Sequence, residues 1–262
     1  MSMYVPTGLG IGANCEKFTG QERAMWQQAM DRLGAAWSYT WGRLDVGPGY
    51  LPSVHPEWQG ICSANDLLAW KHRQMARGLP WDELSWVWCN EPEASGKSAR
   101  EVASLVVRQL QEFDRADIRL RLLFPNGNIN TLENFEYTRE VTQRVRQAGV
   151  LISPAVHIWC EAQYVPMVWD RYRAWIEGYG DRLAPVVVTE AGPGPNCTMA
   201  QWLAMLPLVY ALLDDPRVGA VAPFAAYPKH RLGIERHPGL MLPDGSLNEL
   251  GRQYVAERQR RL

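Results

Sequence analysis

Two glutamates in this chain stand where apolar runs end. Glu91 follows Trp86-Val87-Trp88-Cys89 and Asn90, and Glu190 follows Val186-Val187-Val188-Thr189. A carboxyl group at the tip of a buried strand is half desolvated, which disfavours its charged form and raises its pKa, the condition for a general acid near neutral pH. Two such groups together suit cleavage of a glycosidic bond. One protonates the departing oxygen while the other attacks the anomeric carbon, and a separation of roughly 5 Å gives retention of configuration. Either glutamate alone would be read as a helix cap or as the partner of an arginine such as Arg43. The same residue type at two matching strand ends points to chemistry.

Alternating strands and helices must position them. Thr19-Gly20-Gln21-Glu22 is a capping box ahead of Trp26, Ala29, Met30 and Leu33, and Gly34 closes that helix. Ser98 with Glu101 and Thr198 with Gln201 repeat the pattern, the second of these helices carrying a Pro207 expected to kink it. Ser63 with Asp66, Thr131, and the stretch from Tyr164 to Glu177 mark three more helices. Between the helices lie short runs, several apolar throughout as in parallel strands covered on both faces: 5–12, 35–41, 50–55, 84–89, 119–124, 151–157, 185–189 and 218–224. Eight such units predict a compact (β/α)8 barrel, an α/β fold. No linker, charge block or composition shift divides residues 1–262, so they read as one domain. The link between Trp41 and Tyr50 is too short for a helical crossover. Either the barrel lacks a helix after its second strand, or the third strand lies elsewhere.

In such a barrel the active site gathers at the carboxyl ends of the strands. The residues found there are Asn14, Trp41-Gly42-Arg43, His55 and Glu57, Asn90-Glu91-Pro92, Asn126 and Asn128, His157 and Trp159, Thr189-Glu190, and Tyr227. The chain holds 12 Trp and 10 Tyr against 5 Phe, a bias toward amphipathic rings that stack on flat partners such as sugars. Alternation along the second strand puts Trp37, Tyr39 and Trp41 on one face. Trp41, nearest the mouth, and Trp159 are expected against sugar, with Trp37 and Trp88 in the core.

Charge narrows the partners. With 27 basic against 28 acidic residues and a net charge of −1, neither nucleic acid nor an anionic membrane surface is favoured. The longest uncharged apolar run, Trp202 to Leu213, falls short of the roughly 20 residues that span a bilayer. Residues 1–14 lack the basic start and apolar stretch of a secretory signal, so a cytoplasmic or already trimmed chain is expected. Five cysteines without a CxxC argue against a disulfide scaffold or structural zinc. Bridges Cys15–Cys62 and Cys160–Cys197 are conceivable, with free thiols preferred.

These residues carry a resemblance. Asn90-Glu91-Pro92 and Thr189-Glu190 are similar to the acid/base and nucleophile signatures of clan A retaining glycoside hydrolases. In order, TGLGIGAN (7–14), AWSYTWG (36–42), LPSVHPEW (51–58), WCNEPE (88–93), SPAVHIW (153–159) and VTEAG (188–192) resemble the strand motifs of glycoside hydrolase family 128, which cleaves β-1,3-glucans. The short link after the second strand is also like that family. Residues 239–254 resemble the closing Leu-x-x-x-x-Gly-x-Leu-x-x-x-Gly pattern after many clan A barrels. The resemblance implies Glu91 as acid/base, Glu190 as nucleophile, Asn90 on the hydroxyl beside the reacting carbon, and His157 setting the charge state near Glu190. Tyr39, Trp41, His55, Trp159 and Tyr227 complete the expected substrate-binding set. Phe224 and Tyr227 stand where clan A enzymes usually offer a Trp. The expected partner is an oligo- or polysaccharide, acted on by a monomer without a cofactor or metal. Three alternatives remain: a non-catalytic carbohydrate-binding barrel, a clan A glycoside hydrolase acting on a different polysaccharide, and a metal-dependent hydrolase using His55, His157 and Glu190.

Overall fold

A computed structural model describes residues 7–12, 20–39, 50–78, 84–150, 152–178, 185–194, 197–224 and 238–262. Its centre is a ring of parallel strands. The first, β1 (8–12), is made of two consecutive ladders, Gly8–Leu9 and Ile11–Gly12. β2 is Ser38–Tyr39, and β3 (50–54) again joins two ladders, Tyr50–Leu51 and Ser53–Val54. Then follow β4 (Leu84–Trp88), β5 (Leu120–Asn128), β6 (Ile152–Trp159), β7 (Val186–Gly192) and β8 (Val218–Pro223).

The ring closes at β1. Its first half pairs with β8 (Gly8 with Ala220, Leu9 with Val221), and its second half pairs with β2 (Ile11 with Ser38, Gly12 with Tyr39). β2 pairs with β3 through Ser38–Tyr50, and β3 with β4 through Ser53–Val87. The remaining neighbours, β4 through β8, pair in sequence order, all parallel. Backbone bonds to β1 already begin ahead of the β2 ladder, Ala36 N–H donating to Leu9 O and Ile11 N–H to Trp37 O, each at 3.0 Å. Residues 40–49, where the helix-less connection is expected, lie outside the described residues.

The helices are α1 (Gly20–Leu33), a short α2 (Pro56–Gln59), α3 (Ala64–Ala76), α4 (Ala99–Arg115), α5 (Leu132–Gln147), α6 (Val165–Glu177), α7 (Met199–Ala211) and α8 (Glu249–Arg261). Both capping boxes form, Ser98 with Glu101 and Thr198 with Gln201, and Ser63 caps α3 by accepting from Asp66 N–H. α7 runs on through Pro207. The carbonyl that Pro207 leaves without its helical donor, that of Leu203, lies 3.5 Å from the donating amide of Gln253 on α8.

The barrel interior is filled by Trp37, Tyr39, Leu51, Val87, Leu123, Ala155, Val187, Ala220 and Ala222. Two bulky rings from β2 face alanines of β6 and β8 and glycines of β1. A Cβ at Gly10 would lie 2.2 Å from the Trp37 ring, so β1 can pass only as glycine there. Outside the ring, helices pack on the strands in three further clusters, one around α1, α7 and α8, one around α3 to α5, and one around α6 and α7. Among the described residues no helix is long and apolar enough to cross a membrane.

Candidate active site

Glu91 reaches the mouth of the barrel through a backbone that non-glycine residues seldom adopt. After β4, Cys89 (φ 61°) and Glu91 (φ 46°) are left-handed. Such conformations cost about 1–3 kcal/mol each and persist where neighbours over-determine them. Glu91 N–H donates to Asn126 O at 3.1 Å. Asn90 N–H donates to buried Glu57 Oε1 at 2.7 Å, while the indole N–H of Trp58 donates to Asn90 O at 2.7 Å. Glu93 Oε1 accepts from Asn128 N–H at 2.8 Å, and the Tyr137 hydroxyl donates to Lys97 O at 2.7 Å. Asn126, left-handed and fully buried, donates Nδ2 to Cys89 O at 3.3 Å and accepts the Thr189 hydroxyl of β7. The loop after β4 is thereby tied to α2, β5 and α5.

Glu190 sits on β7 at a shift in register. The β6–β7 ladder slips between Val156 and His157, so that His157 pairs directly with Glu190. His157 lies two residues beyond Ala155 of the interior and so faces the same side. Gly12 of β1 passes close to the backbone of β7, since a Cβ there would lie 3.0 Å from Thr189 O. Buried Tyr39 donates its hydroxyl to Glu190 Oε1. His157 Nδ1 lies 3.2 Å from Glu91 Oε1 and 3.5 Å from Glu190 Oε2. One atom each of Glu91, His157 and Glu190 fall within 4.8 Å of one another. β4 and β7 do not stand diametrically opposite: β5 and β6 separate them, and His157 of β6 occupies the middle.

The charges follow from this arrangement. Burial pushes the Glu91 carboxyl up, but the hydrogen bond and charge of His157 outweigh it and hold Glu91 below its ordinary value. The raised pKa expected for Glu91 is therefore corrected: strand-tip desolvation is present, and a cationic neighbour reverses its effect. Burial works against the His157 cation, yet Glu190 and Glu91 together carry its pKa above the ordinary value. Burial and the Glu190 charge keep Tyr39 protonated well past its usual range. Two carboxyls outside this triad behave differently. Burial pushes Glu57 up to about 7 against backbone N–H donors, the Cys89 thiol and the Lys97 charge, and pushes half-buried Glu93 up to about 7 against backbone N–H donors and the His157 charge.

The remaining expected residues fall into three groups. Asn90 joins the site, with its side-chain Oδ1 buried and without a partner. Trp159 is half-buried, its ring edge-on to Phe224 at 4.9 Å and to Trp202 at 6.4 Å. Tyr39 offers no face to a sugar, because its ring is buried in the barrel and only its hydroxyl reaches the site. His55 is buried too, its Nδ1 3.9 Å from Glu57 Oε1, and burial takes its pKa down to about 4. The metal grouping of His55, His157 and Glu190 does not assemble; Glu91 stands where His55 was expected. Trp41 and Tyr227 lie outside the described residues, as do Asn14, Arg43 and Cys15. Cys89, Cys160 and Cys197 carry free thiols, so Cys160 and Cys197 are not bridged. Trp88 and Trp37 are core residues, as expected. Glu57 and Asn126 stand among the strand-end residues but have no role legible from sequence, and Glu93 and Trp58 are missed altogether. Their signal is proximity in sequence to His55 and to Glu91, within the runs 51–58 and 88–93.

No protein-family model matches the chain, and no curated protein sequence does. Solved structures do match. An exo-β-1,3-glucanase of glycoside hydrolase family 128, subgroup VI, from Aureobasidium namibiae superposes with a TM-score of 0.64 at 16% identity, over 94% of this chain and 96% of that one. A subgroup I endo-β-1,3-glucanase from Amycolatopsis mediterranei, in complex with laminaritriose, gives 0.61 at 16% identity over 96% and 100%. A subgroup IV endo-β-1,3-glucanase from Lentinula edodes gives 0.63 at 12% identity over 94% and 98%. The chain has the family 128 fold. In this family 128-like barrel, Asn90-Glu91-Pro92 and Thr189-Glu190 meet at one end of the ring, with His157 between the two carboxylates.

Proposed function

We propose that this chain is a retaining glycoside hydrolase that cleaves β-1,3-glucan, with Glu91 as acid/base and Glu190 as nucleophile, in a single barrel domain. The observation that carries the reading is the approach of Glu91, His157 and Glu190 within 4.8 Å at the barrel mouth. Carboxylate oxygens this close together suit a nucleophile and an acid/base flanking one anomeric carbon, as in a retaining enzyme. Glu190 attacks through Oε2 while the Tyr39 hydroxyl holds Oε1 and fixes the carboxylate plane. Glu91 delivers a proton to the departing oxygen. His157, cationic between two carboxylates, gives Glu91 that proton ahead of bond cleavage, so Glu91 leaves the first step ionised. Once Glu190 is esterified its charge is gone, His157 loses part of its reason to be protonated, and Glu91 acts as the base toward water. Asn90 Oδ1, buried and unpartnered, accepts from a hydroxyl of the sugar.

The substrate class follows from the superposed enzymes, all β-1,3-glucanases and one of them crystallised with laminaritriose. The test is a panel of β-1,3-, β-1,4- and mixed-linkage glucans with product anomers read by NMR. Release of β-configured ends from the β-1,3-glucan is expected. Glu91→Gln and Glu190→Gln should each lower turnover by at least about 100-fold, and azide should rescue Glu190→Ala by attacking from the vacated side. Full activity in either Gln variant ends the mechanism; oligosaccharide affinity without any product would leave a binding barrel.

A further inference from the structure

α2 is a four-residue helix with an unusual division of labour. Pro56 and Glu57 are buried, and Glu57 takes the N–H of Asn90. The next residue, Trp58, turns outward: it is 52% exposed, and its indole N–H is already committed to the carbonyl of the same Asn90 at 2.7 Å. Both backbone polar groups of the residue preceding Glu91 are therefore held by consecutive side chains of α2. The ring of Trp58 is fixed at the rim with its one polar atom satisfied, so nothing polar on it needs to be stripped of water when an apolar surface covers it. A large aromatic ring left in water and tied to the residue that precedes Glu91 is a flat apolar wall ready for the C–H face of a pyranose.

We propose that Trp58 is the stacking platform of a further sugar subsite, for a glucosyl unit of the same β-linked chain, held against the strand-end loop that carries Glu91. This rests on the glucan reading above. The tether to Asn90 keeps the ring pre-organised, so stacking costs little ordering entropy and appears as affinity for longer chains.

Calorimetric titration of the full chain with laminaritriose and laminarihexaose separates the possibilities when performed in a Glu190→Gln background, where turnover does not consume the ligand. The hexasaccharide is expected to bind the Glu190→Gln protein more tightly than the trisaccharide. Adding Trp58→Ala should weaken hexasaccharide binding about tenfold, equivalent to about 1.4 kcal/mol, whereas Trp58→Phe, which keeps a ring but lacks the N–H, should retain most of it. Unchanged affinity in Trp58→Ala overturns the subsite and leaves the hydrolase reading standing. Equal loss in Phe and Ala also overturns it, because the effect would then come from the bond to Asn90 and not from stacking. If the Glu190→Gln protein binds neither oligosaccharide, the substrate reading fails and the subsite falls with it.

Discussion

His157 decides the charge of Glu91 without being exposed itself. Its imidazole sits 3.2 Å from Glu91 and 3.5 Å from Glu190; both carboxylates favour its cation, and the cation in turn holds the Glu91 pKa down. Removing the ring leaves only desolvation acting on Glu91, which raises the pKa of the acid. His157→Asn should therefore raise the pKa of Glu91, read by NMR as a titration of its carboxyl carbon at higher pH. A carboxyl that titrates where it does in the wild type would show that His157 does not set the state of Glu91. Glu57 acts through the backbone of Asn90. Glu57→Gln keeps an acceptor for that N–H and should retain activity, while Glu57→Ala should lower kcat about tenfold or more with KM nearly unmoved, as misplacement of a catalytic group does. At this scale the residue types were legible and their charges were not. Glu91 and His157 are 66 positions apart in the chain, and a pKa depends on distance in space.

Elements owe their positions to local grammar and to volume. The Ser98–Glu101 box on α4 satisfies two otherwise orphaned N–H groups. Ser98→Ala should cost about 1 kcal/mol, read as a lower urea midpoint at an unchanged denaturant slope. The seam between β1 and β2 is a matter of volume. Gly10→Ala drives a methyl into the Trp37 ring and should destabilise by about 1–3 kcal/mol or more, and Trp37→Phe should restore part of that loss in the double variant. Additive losses would mean that the ring and the glycine are not packed against each other. The caps at Ser63, Ser98, Thr131 and Thr198 are readable from neighbouring residues alone because each is a contact within one turn. The passage of α7 through Pro207 is not, since Gln253 of another helix supplies the donor beside Leu203 O.

For the whole molecule, the two carboxyls Glu57 and Glu93 couple stability to pH. Each has a folded pKa of about 7 against an ordinary value of 4.5, so the folded state holds the proton more tightly than the unfolded chain. Their contribution is fully present below about pH 4.5 and fades as pH rises through 7. It amounts to a few kcal/mol per group, on the order of 2–4. The urea midpoint should fall between pH 5.5 and pH 8, and Glu57→Gln with Glu93→Gln should flatten that fall; an equally steep fall in the double variant would refute the assignment. From the sequence alone come the eight apolar runs, their order, their caps and the two glutamates at matching ends, because periodicity, turn residues and capping are contacts between near neighbours. Ring closure through the two halves of β1, the seat of His157 between Glu91 and Glu190, the hydroxyl of Tyr39 on a carboxylate 151 residues away, and the exposure of Trp58 were decided only on folding. The reason is that burial, charge coupling and strand register depend on which distant segments become neighbours, and no short stretch of residues contains that information.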